Sequence, residues 1–142
     1  MEKQIRTFCE SLGLDTMGFM PCRRFDELIP FYKERKAKHL QNEFEANELE
    51  LRVNPFHYMP EGKTILSIAF PYHHKEQEKA NGFSTYTKRA DYHRVVKGYL
   101  EQIKVFIESL GGQAMTFVDS ITLPERYIAY LAGVGFIGKN NM

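Results

Sequence analysis

The stretch ERYIAYLAGVGFIGKNNM, residues 125–142, decides what kind of fold this chain has. Within it Gly133, Gly135 and Gly138 fall in the pattern G-x-G-x-x-G, the fingerprint of a dinucleotide-binding turn. That turn has a physical requirement. A strand runs into the glycines, a helix leaves them, and a pyrophosphate rests on the amides of the first helical turn. Here residues 125–132 carry a helical pattern, and after Gly138 only Lys139, Asn140, Asn141 and Met142 follow. Both context tests fail, which argues against a phosphate turn. Gly133 reads instead as a helix cap, and Gly135 and Gly138 as points where the backbone turns tightly or approaches another group closely. Phe136 and Ile137 read as the start of an apolar strand.

Working backward, Pro124 and Glu125 open the helix, and AMTFV (114–118) reads as a core strand ending at Asp119. Val96, Tyr99, Leu100, Ile103, Phe106, Ile107 and Leu110 recur at helical spacing. Asp91 is placed to cap that helix and Gly111-Gly112 to stop it. Residues 71–90 have no period and read as a long loop of the kind that often carries function. KTILSIAF (63–70) is apolar on both faces and predicts a central strand covered on both sides. The two prolines of RVNPFHYMPEG (52–62) predict a loop. From Phe25 to about Glu50 the chain predicts one or two helices with Phe25, Leu28, Ile29 and Tyr32 on one face. MGFMPC (17–22) predicts a short strand. Ile5, Phe8, Cys9 and Leu12, followed by Gly13, predict a short amphipathic helix. Alternating helices and strands without a linker predict one domain over 1–142 of class α/β, layered in the α+β manner.

Composition narrows the function classes. Of 142 residues 43% are hydrophobic and 13% aromatic, which excludes a disordered chain, and the net charge of +1 commits the protein to neither nucleic acid nor membrane. The run Lys33, Arg35, Lys36, Lys38 reads as a solvated helix face. No stretch reaches the ~18 apolar residues of a membrane span, and the N-terminus lacks the apolar core of a signal peptide. Cys9 and Cys22 form no C-x-x-C pair, so neither a disulfide framework nor a zinc ribbon is indicated. Cys9 lies on an apolar stripe and reads as a buried thiol. A reduced, cytoplasmic setting is the expectation.

Three polar groupings could carry chemistry. Ser84, Tyr86, Lys88, Arg89, Asp91, Tyr92 and His93 crowd the junction between the long loop and its helix. They suit an anionic or heteroatom-rich ligand, or simply a capped and solvated helix start. Asp119, at the end of a predicted strand, stands where ligand sites of layered sheets lie, and with a raised pKa it could donate a proton; it could equally cap the next segment. His39, His57, His73, His74 and His93 show no metal-ligand spacing, and no metal site is expected from them.

In order along the chain, PEGKTILSIAFPY, STYTKRADYHRVV and VDSITLPERYIAYLAGVGFIGKN form a series that resembles the N-terminal part of the epoxyqueuosine reductase family, from LGLDTMGFMP to the final GKNNM. The resemblance implies a cobalamin-binding domain similar to that of reductive dehalogenases and nitroreductases, upstream of a ferredoxin-like cluster domain. It implies reduction of epoxyqueuosine to queuosine in tRNA, with Asp119 supplying a proton as the C–O bond breaks and [4Fe–4S] clusters delivering electrons to the cobalamin. By the same resemblance Tyr86, Asp91, Tyr92 and His93 match a cofactor-pocket segment, and Gly135, Ile137, Gly138, Lys139 and Asn140 match a second. Arg89 stands where the family has glycine, and Phe136 and Asn141 where it has Trp and Thr.

The cluster motif C-x-x-C-x-x-C-x-x-x-C-P is expected downstream, and two cysteines cannot hold a [4Fe–4S] cluster. The 142 residues are therefore expected to be an N-terminal fragment, with much of any tRNA surface elsewhere. Two other readings fit the residues: a non-catalytic module that binds a ligand or partner, and a flavin-dependent enzyme of nitroreductase type.

Overall fold

The computed structural model describes residues 1–39, 49–70, 92–118 and 122–138. In chain order the elements are α1 (Glu2–Ser11), β1 (Met17–Pro21), α2 (Ile29–Ala37), α3 (Leu49–Val53), β2 (Thr64–Ile68), α4 (Tyr92–Ser109) and α5 (Glu125–Leu131). Short 3-10 turns occupy Asp26–Leu28 and Pro55–His57. The chain divides into two compact units, one made of Met1–Met17 and Ile68–Val118, the other of Gly18–Ser67 and Asp119–Met142.

The first unit is built on α1 and α4. Ile5 and Cys9 lie one turn apart on α1 and are buried, as are Val96 and Ile103 on α4. Phe8 and Phe106 stack with ring centroids 4.3 Å apart. Leu14 and Met17, in the same unit, are also buried. Each such side chain contributes about 1.5–3 kcal/mol when withdrawn from water. α1 ends as its Gly13 predicts: Gly13 N–H donates to Glu10 O and Leu14 N–H to Cys9 O, the paired bonds of a Schellman cap.

The strand expected at 114–118 is absent. Residues 112–117 have no regular secondary structure, with Met115 50% and Phe117 36% exposed. Apolar and β-branched residues favour a strand only where a ladder partner stands beside them, and among the described residues none does.

β1 and β2, most of whose residues belong to the second unit, form a two-stranded sheet. Cys22 N–H donates to Lys63 O, while at the far end of the ribbon Ala69 N–H donates to Thr16 O. One strand's number rises as its partner's falls, so the pair is antiparallel. β2 was expected to be central and covered on both faces. Among the described residues it pairs with β1 alone, and Leu66 and Ser67 stay half-buried. Its inward face holds Ile65 against the core of Met20, Phe25, Val53, Leu123 and Ile128. Leu28, Ile29 and Tyr32 pack on that core, as the apolar face of residues 25–32 predicts. Tyr127 meets the buried Phe25 ring edge-on at 6.0 Å.

The segment read as a loop over 52–62 is more ordered than its prolines suggest. Arg52 and Val53 finish α3 and are buried. Asn54 then caps the next turn, its side-chain oxygen accepting from Phe56 N–H at 3.1 Å. Pro55 follows at the first turn position, where a missing N–H costs nothing. Asn-Pro here starts a helical turn. Among the described residues the architecture is α+β, as the sequence predicts at that level: helices with a small antiparallel ribbon.

Candidate functional site

α5 leads into the glycine run, and its end settles what the first glycine does. Gly133 has φ +79°, a value that strains any residue with a Cβ. Gly133 N–H donates to Tyr130 O and Val134 N–H to Ala129 O. Gly133 therefore closes α5 from the position just past its C-cap Ala132, and the order is helix, glycine, irregular backbone over 134–138. This is the reverse of a phosphate turn. Gly135 has open space: an added Cβ would meet nothing within 4 Å. Phe136 is 84% exposed and Ile137 43%.

A second cluster lies where the chain re-enters the core ahead of α5. Thr122 is half-buried, and Leu123 beside it is buried. The Thr122 hydroxyl donates to Leu51 O at 2.7 Å. Tyr58 Oη lies 2.5 Å from Thr122 Oγ1. Leu51 belongs to the last turn of α3, whose carbonyls have no partner inside the helix. The neighbouring Val53 carbonyl accepts from Phe25 N–H at 2.8 Å. Two distant segments thus complete the end of one short helix.

The same unit carries two ion-pair networks. Arg23 grips both carboxylate oxygens of Glu27, at 2.8 and 3.1 Å, and Tyr127 donates to Glu27 Oε1 at 2.9 Å. The Arg23 hydrogen bonds hold Glu27 down at about 2. Burial, with Glu27 as neighbour, pushes the Tyr127 phenol up. Arg24 makes a two-pronged pair with Glu50, which also accepts from Asn54. Arg24 thereby holds the Glu50 carboxyl below its ordinary value.

Of the residues expected to act, the structure describes only some. His93 is exposed in the first turn of α4 and belongs to the first unit. Tyr92 is the first residue of α4. Gly135, Ile137 and Gly138 lie in the second unit, on the irregular backbone after α5. Asp119, Tyr86, Asp91, Lys139 and Asn140 lie outside the described residues, as does the loop read over 71–90. Among the described residues no three of His, Cys, Asp and Glu gather as a metal site, and no helix is long and apolar enough to cross a membrane.

Sequence reasoning missed Tyr58, Thr122 and Leu51. The first two stand 64 positions apart, beyond any local pattern, and only the Asn54-Pro55 step signalled that Tyr58 follows an ordered turn.

Comparison with known proteins places the chain. The family model described as "Epoxyqueuosine reductase QueG, DUF1730" matches residues 52–120. An epoxyqueuosine reductase of Staphylococcus aureus is 27% identical over 99% of this chain and 40% of its own length. A crystal structure of epoxyqueuosine reductase with an epoxyqueuosine-modified tyrosine tRNA stem loop matches with a TM-score of 0.77 at 26% identity, over 99% of this chain and 40% of that one. A structure of the Bacillus subtilis enzyme, with its aspartate catalytic loop swung out of the active site, matches with a TM-score of 0.73 at 25% identity over the same shares. The chain spans about two fifths of the length of these relatives. The fold, the family model and the relatives agree in likening the chain to the N-terminal part of epoxyqueuosine reductases.

Proposed function

We propose that this chain supplies the N-terminal part of an enzyme that reduces epoxyqueuosine to queuosine in tRNA, with Asp119 as the proton donor. The observation that carries the reading is the match over 99% of the chain to an epoxyqueuosine reductase bound to an epoxyqueuosine-modified stem loop. The aspartate catalytic loop of the Bacillus subtilis relative supports assigning the proton to an aspartate here.

Reducing an epoxide consumes two electrons and two protons. As the C–O bond breaks, the oxygen becomes a strong base, and a carboxylic acid held beside it supplies the first proton. Such a donor works near neutral pH when its surroundings favour the protonated form. Asp119 fills that role, and general acid catalysis of this kind contributes about 10²–10⁴-fold.

Cobalamin is the group the family resemblance implies, and the described residues fit it. The open backbone at Gly135, flanked by exposed Phe136 and Ile137, suits a broad, flat macrocycle that needs close backbone approach and apolar cover. The resemblance assigns two segments to its binding: Gly135, Ile137, Gly138, Lys139 and Asn140, and Tyr86, Asp91, Tyr92 and His93. Bound there, cobalamin would supply a strongly reducing cobalt centre.

The test is cobalamin binding by the protein, followed by absorbance and co-elution on a sizing column. Saturable retention near one equivalent is expected. A protein that retains bound flavin instead, or elutes free of cobalamin at large excess, contradicts the cofactor assignment.

A further inference from the structure

The basic run on α2 is more than a solvated face. Residues 29–38 hold four basic side chains and one acidic one, in a chain whose net charge is only +1. The helix turns one side to the core, where Ile29 and Tyr32 pack beside Leu28. None of its own residues is fully buried, so most of α2 meets solvent.

Its lysines differ from the arginines that precede it. Arg23 is bound to Glu27, and Arg24 to Asp26 and Glu50. On α2 itself Lys38 is bound to Glu34. Lys33 and Lys36 are exposed, and among the described residues neither enters an ion pair. Three positions apart, they project from one flank of the helix. Two like charges held this close gain by meeting an anion.

The other flank carries flat groups. Phe31 is exposed, and the Arg35 guanidinium lies over its ring, 5.7 Å from the centroid. Aromatic rings and guanidinium planes are the surfaces on which unpaired bases stack. A helix is about 10–12 Å across, so one strand lying over α2 brings phosphates to the lysines and a base to Phe31. A bilayer fits less well. A helix lying in a membrane surface needs a free apolar face, and that of α2 is packed on the core.

We propose that α2 is a docking surface for the substrate RNA, with Lys33 and Lys36 on backbone phosphates and Phe31 against an unpaired base. This rests on the proposed action on tRNA. The lysine contacts position the RNA and carry no sequence information.

The experiment uses the complete enzyme that contains this part. It reads the Kd of a labelled epoxyqueuosine-modified tRNA stem loop by fluorescence anisotropy, between about 50 and 200 mM salt. Lys33→Gln combined with Lys36→Gln is expected to weaken binding about 10-fold at the low-salt end. The slope of log affinity against log salt is expected to become shallower by about 1.4–1.8, the counterion release of two phosphates. The loss is expected to be equal for modified and unmodified stem loops. Phe31→Ala is expected to weaken binding at least about fivefold with the slope unchanged. Lys3→Gln combined with Lys97→Gln makes the same change in net charge at exposed positions of the first unit, and is expected to bind as wild type does.

An unchanged Kd in the α2 lysine pair or in Phe31→Ala overturns the docking surface. So does an equal loss in the control pair, which would show that only overall charge matters. Wild-type behaviour separates this proposal from the reading beneath it. A wild-type enzyme that neither binds nor reduces the modified stem loop overturns the proposed function, and the partner assigned to α2 falls with it. Normal wild-type turnover with unchanged Kd in the α2 variants overturns the docking surface alone.

Discussion

Gly18 in β1 and Ala132 at the end of α5 approach so closely that a Cβ at Gly18 would stand 2.0 Å from the Ala132 carbonyl oxygen. The obstacle is backbone, so no side-chain rotation relieves it. The ribbon and the helix that leads to the glycine run are therefore held together by the absence of a side chain. Gly18→Ala forces strand and helix apart, and overpacking of this kind costs typically 1–3 kcal/mol, about the range expected here. Urea denaturation checks it; a midpoint equal to wild type would show that the two segments are not packed this way.

Phe25 is 0% exposed at the centre of the second unit's core and meets Tyr127 edge-on. Phe25→Ala removes a ring that surrounding residues cannot replace. A loss of about 3–5 kcal/mol is expected, measured by chemical denaturation. Phe25→Leu should recover more than half of that loss by refilling most of the volume.

Glu27 gives the protein an acid-sensitive contact. Its folded pKa is depressed from 4.5 to about 2, first by the Arg23 hydrogen bonds. The ionised form is thus favoured by folding, so its contribution is fully present above pH 4.5 and disappears as pH falls through about 2. The pair is exposed, which limits the contribution to about 0.2–1 kcal/mol. Glu27→Gln is expected to lower stability by that amount at pH 7 and to match wild type at pH 2. Stability curves of the two proteins across this window check the sign; a gap that widens toward low pH contradicts it.

The cysteines differ in access. Cys9 is fully enclosed in the first unit and Cys22 is half-buried in the second, and burial raises both thiols above their ordinary value. A thiol reagent applied to the native protein is expected to modify Cys22 first and Cys9 only after unfolding. Mass spectrometry of partly labelled protein reads the order, and early labelling of Cys9 would show that its helix does not pack as described.

Local periodicity made much of this fold legible. Ile5 and Cys9 on α1, the apolar row of α4, and the glycines that end α1, α4 and α5 follow from helix geometry and backbone sterics alone. The failures share a cause. Met115 and Phe117 look like strand residues, but a strand needs a partner that no local pattern supplies. Asn54-Pro55 carries the same letters in a loop and at the start of a turn, and only the buried Val53 beside it decides. Tyr58 and Thr122 meet through tertiary structure, so their bond could not be read from spacing. Asp119 was singled out from a supposed strand end that the structure does not contain. Its assignment therefore stands on family resemblance and on the relatives.

The most direct measurement of the central claim is epoxyqueuosine reduction by an Asp119→Asn variant of the complete enzyme that contains this part and the cluster domain, loaded with cobalamin and clusters and compared with wild type on the same tRNA stem loop. The account predicts a fall in turnover of about 10²–10⁴-fold with substrate binding retained. Turnover within a factor of about two of wild type would mean that another group delivers the proton, and would contradict the account.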